Sequence, residues 1–522
     1  LTIAIPVGVA IVVNLLIAPS PRKLAHAQLA KRLRLAARRL RGDDDARTAF
    51  DASLREGDKQ LLTWLKLSKL EGSSTAADVV ALRQAIASST ALMVGVALAD
   101  REPDARLPDA FSTPIAATLD DMAAILERGG YPVDVTLALP PADALPPLAR
   151  IAATDLHAAI THFAEPGAPA DAAAASPAAA SEAPAAPPAP APRGGFFLPD
   201  ARTNPDHIRY ALKTTAAAIF CYLLYSQLDW SGIHTCVVTC YIVSLGSTAE
   251  TVEKLTLRIF GCMAGALLGT AALVFVVPAL SSVGHLMALV FVGAWLSAWI
   301  AFGSPRIAYA GFQIAFAFFL CVIQGAGPGF DLTIARDRTI GILLGNVVVY
   351  LVFTRIWPVS IGKQIDVAFA ALLDQWRRIA QIAQPAERRT LAAEAFARHG
   401  AISQELGLVH YEPSWVRPAA TWLATRRRAL AELGAIEGPL FLLAERKPGD
   451  SAIGAQLSRV TEPRDDEAPR SPNPAPSAPP LDAAPTDPAR DALLNLIDTR
   501  LAQIADAARQ ATPKEPAPHA ST

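Results

Sequence analysis

Between Arg258 and Asp331 the sequence contains no aspartate or glutamate, and the stretch is long and hydrophobic. A carboxylate relay buried at mid-membrane is therefore excluded from it, and titratable groups are confined to its edges. No G-x-x-x-x-G-K-[ST] occurs, so the chain does not hydrolyse ATP through a P-loop. Gly325-Ala-Gly-Pro-Gly329 lacks the lysine such a loop needs and reads as a turn. H-E-x-x-H and G-x-S-x-G are also missing, which removes the common routes to a membrane protease or lipase and leaves no catalytic constellation. Cysteine is scarce: Cys221, Cys236, Cys240, Cys262 and Cys321 all lie in hydrophobic segments. They read as small buried thiols, with no disulfide, no metal and no cofactor implied. Cys236 and Cys240 share a helix face, but no histidine stands in register to complete a metal site.

Hydrophobic residues make up 52% of the 522, charged residues 18%, and mean hydropathy is +0.29. That is too apolar for a soluble protein and too charged for one wholly in the membrane, so the chain is mixed. Net charge is −1, yet Arg22, Lys23, Lys31, Arg32, Arg34, Arg38, Arg39 and Arg41 occur with no acid between them. The cluster follows an apolar run directly, which makes it a topology signal and not a nucleic-acid patch.

The predicted fold class is all-α: a polytopic membrane helix bundle, one N-terminal span plus a six-helix block, with α-helical cytoplasmic regions. Residues 1–18 read as a transmembrane span, the last of a membrane block whose earlier part lies outside this sequence. Residues 22–165 form a cytoplasmic helical domain, with helices near 24–41, 43–71, 76–100, 112–130 and 142–163, and with Trp64 in its core. Residues 166–196, almost wholly Ala and Pro, form a semi-stiff linker. The transmembrane domain occupies 204–358, with helices expected at 208–228, 233–245, 257–277, 285–302, 307–323 and 339–357; the second is short. Arg202, Arg209, Lys213, Lys254, Arg258, Arg306, Arg355 and Lys363 fall on one side and Arg336 and Arg338 on the other, so both flanks are cytoplasmic. A second cytoplasmic helical region spans 361–446; its basic runs suit a solvated or phospholipid-facing surface. Residues 447–488 are Pro- and Asp-rich and read as disordered. A terminal amphipathic helix at 489–511 is left to pack or to bind a partner.

Ser247 to Gly269 passes from a charged turn into glycine-spaced apolar sequence. Glu250, Lys254, Arg258, Gly261, Gly265 and Gly269, spaced by three or four, form one stripe of a helix. Lipid rejects the charges and gains nothing from the glycines, so this face turns towards protein or a water-filled cavity. Arg258-x-x-Gly261-x-x-x-Gly265 recurs as Arg338-x-x-Gly341-x-x-x-Gly345 three helices later. An odd offset reverses orientation, as two inverted three-helix repeats require, and it points to a route between the third and sixth helices; chance spacing of small residues is the other reading. Glu250 precedes Lys254 by four, the favourable order for a helix pair. The charges either fix helix depth at the interface or form a vestibule, with Lys254 and Arg258 attracting anions and Glu250 and Glu253 exchanging protons. Titratable candidates at the edges are His234, Glu250, Glu253, Asp331 and Asp337; His234 is either a proton sensor or an interfacial histidine beside Trp230. Gln313, Gln324 and Asn346 either line a path or hold helices together.

The runs PDARTNPDHIRYALKTTAAAIFCYLLY, DWSGIHTCVVTCYIVSLGSTAETVEKLTLRIFG, SPRIAYAGFQIAFAFFLCVIQG and FDLTIARDRTIGILLGN closely resemble the fusaric acid resistance and aromatic acid exporter family, above all its multidrug-resistance branch. The resemblance covers Phe197 to about Lys363. It implies an inner-membrane component of a Gram-negative efflux system. Such a component works with a periplasmic membrane-fusion protein and an outer-membrane channel, and exports aromatic acids or drugs on the proton gradient. Matching the family's polar helix singles out Thr248, Glu250, Glu253, Lys254 and Arg258; its later motif singles out Arg306, Asp331, Asp337 and Arg338. Family members have two membrane halves, each followed by a cytoplasmic domain. Here only the final span of the first half is recognised, so either a longer chain precedes Leu1 or this chain pairs with another.

The expected function is export of amphipathic aromatic compounds from the cytoplasm or inner leaflet. Expected partners are the lipid bilayer, the two envelope proteins and the small aromatic substrate, with self-association left open and nucleic acid excluded. The competing class is a non-transporting scaffold that holds the helical regions near partner proteins.

Overall fold

The computed structural model describes residues 4–133, 135–164, 203–323, 331–461 and 487–511. Regular structure among them is eighteen α-helices and no strand. The 166–196 linker, Gln324 and the Gly325–Gly329 turn lie outside the described residues. The chain divides into two units: Leu1–Ala183 with Val367–Ser403 and Thr421–Thr522, and Pro184–Asp366 with Gln404–Ala420.

In the first unit, α1 (Ala4–Ile17) is a short apolar helix whose Val9, Ile11, Leu16 and Ile17 are exposed. Next come α2 (Pro21–Leu40), α3 (Arg47–Glu56), α4 (Lys59–Glu71), α5 (Ala76–Arg101), α6 (Asp109–Glu127) and α7 (Pro147–Ala164). The single helix expected at 43–71 is two, because Gly57 takes a positive φ of 69° between α3 and α4 and only glycine enters that region freely. By length and composition α5 is apolar enough to cross a membrane, but 72% of its apolar window is buried inside the protein. A helix hydrophobic all round is a core helix when other helices surround it.

Part of the basic cluster is drawn inward. Arg32 pairs with Asp58 at 2.6 Å and donates to the Gly57 carbonyl at 2.6 Å; Arg39 pairs with Asp100. Both arginines are buried, where a guanidinium persists only with its charge and hydrogen bonds met.

The later helices α14 (Ile361–Gln381, most of it), α15 (Pro385–Leu408, up to Ser403), α16 (Ala420–Arg446), α17 (Ser451–Thr461) and α18 (Pro488–Ala511) belong to this same unit. Glu437 of α16 is completely buried; it accepts from Arg55 of α3 and from Trp376 Nε1 at 3.1 Å, and His399 Nδ1 stands 3.1 Å away. Arg446 pairs with Asp155 at 2.7 Å, and Arg500 of α18 pairs with Glu102. The two helical regions that the membrane block separates in sequence thus share one core. Within the 447–488 stretch, read as disordered, α17 forms a helix.

The second unit contains α8 (Pro205–Gln227), α9 (Thr235–Val243), α10 (Thr248–Ala271), α11 (Val283–Gly303), α12 (Ala308–Val322) and α13 (Leu332–Arg355). Three segments here are long and apolar enough to cross a membrane: α10 with its continuation to Ala279, α11 and α13. The expected helix 233–245 is shorter, α9 having nine residues, about 14 Å at 1.5 Å per residue, roughly half the hydrocarbon thickness. The third helix starts earlier than expected, at Thr248. There Ser247 and Glu250 form a reciprocal capping box, Glu250 Oε2 accepting from Ser247 N at 3.1 Å and from its hydroxyl at 2.8 Å. That satisfies backbone donors which a helix start leaves open. The π turn Ala272–Val276 ends α10. Along α11 the side chains Phe291, Trp295, Trp299 and Phe302 are exposed, the pattern of a lipid-facing helix.

Candidate functional site

The glycine stripe of α10 packs against α12. A Cβ at Gly261 would come within 2.6 Å of the Ala310 carbonyl, one at Gly265 within 2.8 Å of Ala317 Cβ, and one at Gly269 within 2.7 Å of Cys321 Cβ. The stripe of α13 packs against α9 and the turn before it in the same manner: a Cβ at Gly341 would come within 2.7 Å of the Ile233 carbonyl, and one at Gly345 within 2.7 Å of Thr239 Cβ and 2.8 Å of the Cys236 carbonyl. The two stripes do not face each other, so the route expected between the third and sixth helices is not bounded by them. Each third helix of a three-helix set is filled by the second helix of the other set.

Arg258, on the α10 stripe, is 1% exposed. Its Nη1 donates to Tyr309 Oη at 3.1 Å and to Gln313 Oε1 at 3.0 Å, and its Nη2 donates to Thr239 Oγ1 at 3.1 Å. All three acceptors are neutral. Thr239 is available because its own hydroxyl donates to the Thr235 carbonyl. Tyr309 and Gln313, four apart on α12, point the same way.

One turn earlier on α10, Lys254 Nζ lies 5.0 Å from the centroid of the Tyr309 ring, a cation–π distance. The pair borders an open cleft of about 950 Å³, lined by Glu250, Glu253 and Lys254, by Arg306 and Tyr309, and by Gln404, His410 and Tyr411 on a segment beyond the helix block. Charges of both signs line its mouth, with Leu245, Leu257, Ile307 and Leu408 between them. Glu250 spends its carboxylate on the helix cap, and Lys254 turns to Tyr309. Glu405, in the last turn of α15, is pushed above the usual carboxylate range by burial and by the neighbouring Glu250 carboxylate. Glu412 accepts from Ile361 N at 2.7 Å and Ser360 Oγ at 3.0 Å, which ties the cleft segment to the start of α14. Thr248, buried, stands behind the cleft with its hydroxyl directed at the Phe353 carbonyl at 3.4 Å.

The remaining candidates lie at the opposite end of the helices. Asp331 caps α13, accepting from Thr333 N at 2.8 Å. Asp337 accepts from Trp230 Nε1 at 2.9 Å and from Arg336 Nε at 3.0 Å. His234 is exposed, with Nδ1 2.9 Å from the Ser231 carbonyl. The Arg338 carbonyl receives Thr235 Oγ1 at 3.1 Å, its side chain half-buried. The structure therefore gathers Glu250, Glu253, Lys254, Arg258, Arg306 and Gln313 around one cleft and its floor, and sets Asp331, Asp337, Arg338 and His234 apart.

Sequence reasoning missed Tyr309, Thr239, His410 and Tyr411. The Tyr309–Gln313 spacing is a signal for the first; the cleft wall from 404–411 carries none, since only folding brings it there. The five cysteines are buried, Cys221 and Cys240 with sulfurs 3.6 Å apart, and no metal-ligating cluster occurs among the described residues.

The family described as fusaric acid resistance protein-like matches residues 216–352. The chain is also similar to multidrug resistance protein MdtO of Shigella flexneri, 37% identical over 199 residues, which is 38% of this chain and 29% of that protein. To MdtO of Escherichia coli strain K12 it is 37% identical over 199 residues, with the same coverage. To MdtO of Escherichia coli O6:H1 it is 36% identical over 212 residues, 40% of this chain and 31% of the relative. The matched part thus spans less than a third of those relatives.

Proposed function

We propose, from a chain whose residues 216–352 belong to the fusaric acid resistance protein-like family, that the second unit is the conducting part of a bacterial inner-membrane efflux protein for amphipathic aromatic compounds. The observation that carries this is the cleft whose floor passes, through Tyr309, to the buried guanidinium of Arg258. An amphipathic solute needs apolar wall and charge together, and this cleft has both. Lys254 and Arg306 attract the anionic part of the solute from the cytoplasm or inner leaflet. Glu253, beside them and outside the helix cap that holds Glu250, exchanges the protons that drive export; the soluble helical regions are cytoplasmic. Partners are a periplasmic membrane-fusion protein and an outer-membrane channel. The likeness to proteins named for multidrug resistance supports the efflux reading.

The test is accumulation of a radiolabelled aromatic acid in a host deleted for its own aromatic exporters, expressing the full-length protein with its periplasmic partner. Lowered accumulation is expected. Unchanged accumulation, at normal membrane abundance, would sink the proposal in favour of a scaffold.

A further inference from the structure

Beyond the cleft, three buried polar side chains of the membrane unit carry atoms without a hydrogen-bond partner. Arg258 Nε, Gln313 Nε2, and both Nδ2 and Oδ1 of Asn346 are buried without a hydrogen-bond partner in the protein. The three residues are 1%, 1% and 2% exposed. Membrane interiors tolerate such groups poorly, since no water is at hand to satisfy them.

Their helices are in register. Cys262 of α10, Ala317 of α12 and Ile342 of α13 form one buried cluster. Arg258 lies four residues before Cys262, Gln313 four before Ala317, and Asn346 four after Ile342. Because α13 runs opposite to the other two, all three steps go one turn towards the cleft. Arg258, Gln313 and Asn346 therefore occupy one layer on the facing sides of three helices, directly under the cluster. Arg258 makes no ion pair among the described residues, and its neighbours Thr239, Tyr309 and Gln313 are neutral. The layer holds one positive charge, three donor nitrogens with unused N–H groups, Nε, Nε2 and Nδ2, and one unused acceptor, Asn346 Oδ1. Glycines 261 and 345 bring the backbones of neighbouring helices close on either side.

We propose that Arg258, Gln313 and Asn346 form a desolvated binding site for the carboxylate of an organic acid, entered from the cleft when the Tyr309 hydroxyl gives up Arg258. A carboxylate supplies the missing charge and enough lone pairs for all three donors. This rests on the reading that the second unit conducts solute and adds which atoms hold the anionic group.

The test uses the full-length protein in nanodiscs and isothermal titration with benzoate, benzamide and chloride. Benzoate is expected to bind, benzamide at least tenfold more weakly, and chloride not to compete at equal concentration. Asn346→Asp, which places a carboxylate against Arg258 inside the protein, is expected to weaken benzoate at least tenfold while raising thermal stability. Asn346→Leu removes a donor without adding charge and is expected to weaken benzoate by a smaller factor, at least threefold. Equal binding of benzoate and benzamide, chloride competition, or benzoate affinity within twofold of wild type in Asn346→Asp would overturn the site. Binding that behaves as expected together with unchanged cellular accumulation would leave the site standing and remove the export reading; the reverse pattern would do the opposite.

Discussion

Lys254 and Tyr309 meet at the cleft floor, the ammonium 5.0 Å from the ring centroid, while the hydroxyl of the same ring receives Arg258 Nη1 at 3.1 Å. One aromatic side chain thereby touches both cations of the α10 stripe, one half-buried and one buried. Tyr309 is the partition between the open cleft and the polar layer behind it.

Tyr309→Phe keeps the ring under Lys254 and deletes the acceptor. A hydrogen bond to a charged group is worth about 1.5–3 kcal/mol, and without it Arg258 is already released for the carboxylate, so benzoate is expected to bind roughly tenfold tighter at unchanged membrane abundance. Affinity is read by titration calorimetry in nanodiscs and abundance by immunoblot. Unchanged or weaker benzoate binding would contradict the role given to the hydroxyl.

Gly265→Val pushes a side chain into Ala317 Cβ, which even a Cβ would meet at 2.8 Å. Overpacking of this kind costs about 1–3 kcal/mol, and the variant is expected to melt lower and accumulate poorly. Gly303→Ala, where nothing lies within 4 Å, is the control and should behave as wild type in a thermal-shift assay.

Glu437→Ala leaves Arg55, His399 and Trp376 Nε1 without their shared acceptor in a fully buried place. Breaking a buried pair by removing one partner costs about 3–5 kcal/mol. Protease resistance of α3, α14, α15 and α16 is expected to be lost together, because all four meet at this carboxylate; loss confined to α16 would contradict the shared core.

His26, buried with Nδ1 3.2 Å from the Leu126 carbonyl, is held below its ordinary value of 6.5 chiefly by burial. The unfolded chain therefore binds a proton that the folded one resists, so its stabilising share is full above about pH 6.5 and is lost as pH falls below it. Hydrogen-exchange protection factors in α2 and α6, corrected for the intrinsic pH dependence of exchange, are expected to fall between about pH 7 and about pH 5. His26→Gln should flatten that dependence.

Local signals suffice where local physics decides. Apolar length and the prolines at helix starts mark most helices within a few residues, whereas the Ser247–Glu250 capping box, not read from the sequence, starts α10 at Thr248 and not at 257. Gly57 and α17 escaped because one glycine and one short helix add little to composition. The stripe Glu250, Lys254, Arg258 reads as a run of helical pairs, but Glu250 turned back to the cap and Lys254 to an aromatic ring on another helix. Propensity gives the spacing; only neighbours give the partner.

By itself the sequence determined an all-helical chain, the membrane block, the small-residue stripes and the lack of any acid between Arg258 and Asp331, because each follows from composition and period along one segment. Tertiary structure alone decided that α12 fills the stripe of α10, that a segment near residue 410 walls the cleft, and that Arg258, Gln313 and Asn346 share a layer. Those facts join residues far apart in the chain, and which side chains meet is set by how helices pack, a choice no single helix carries.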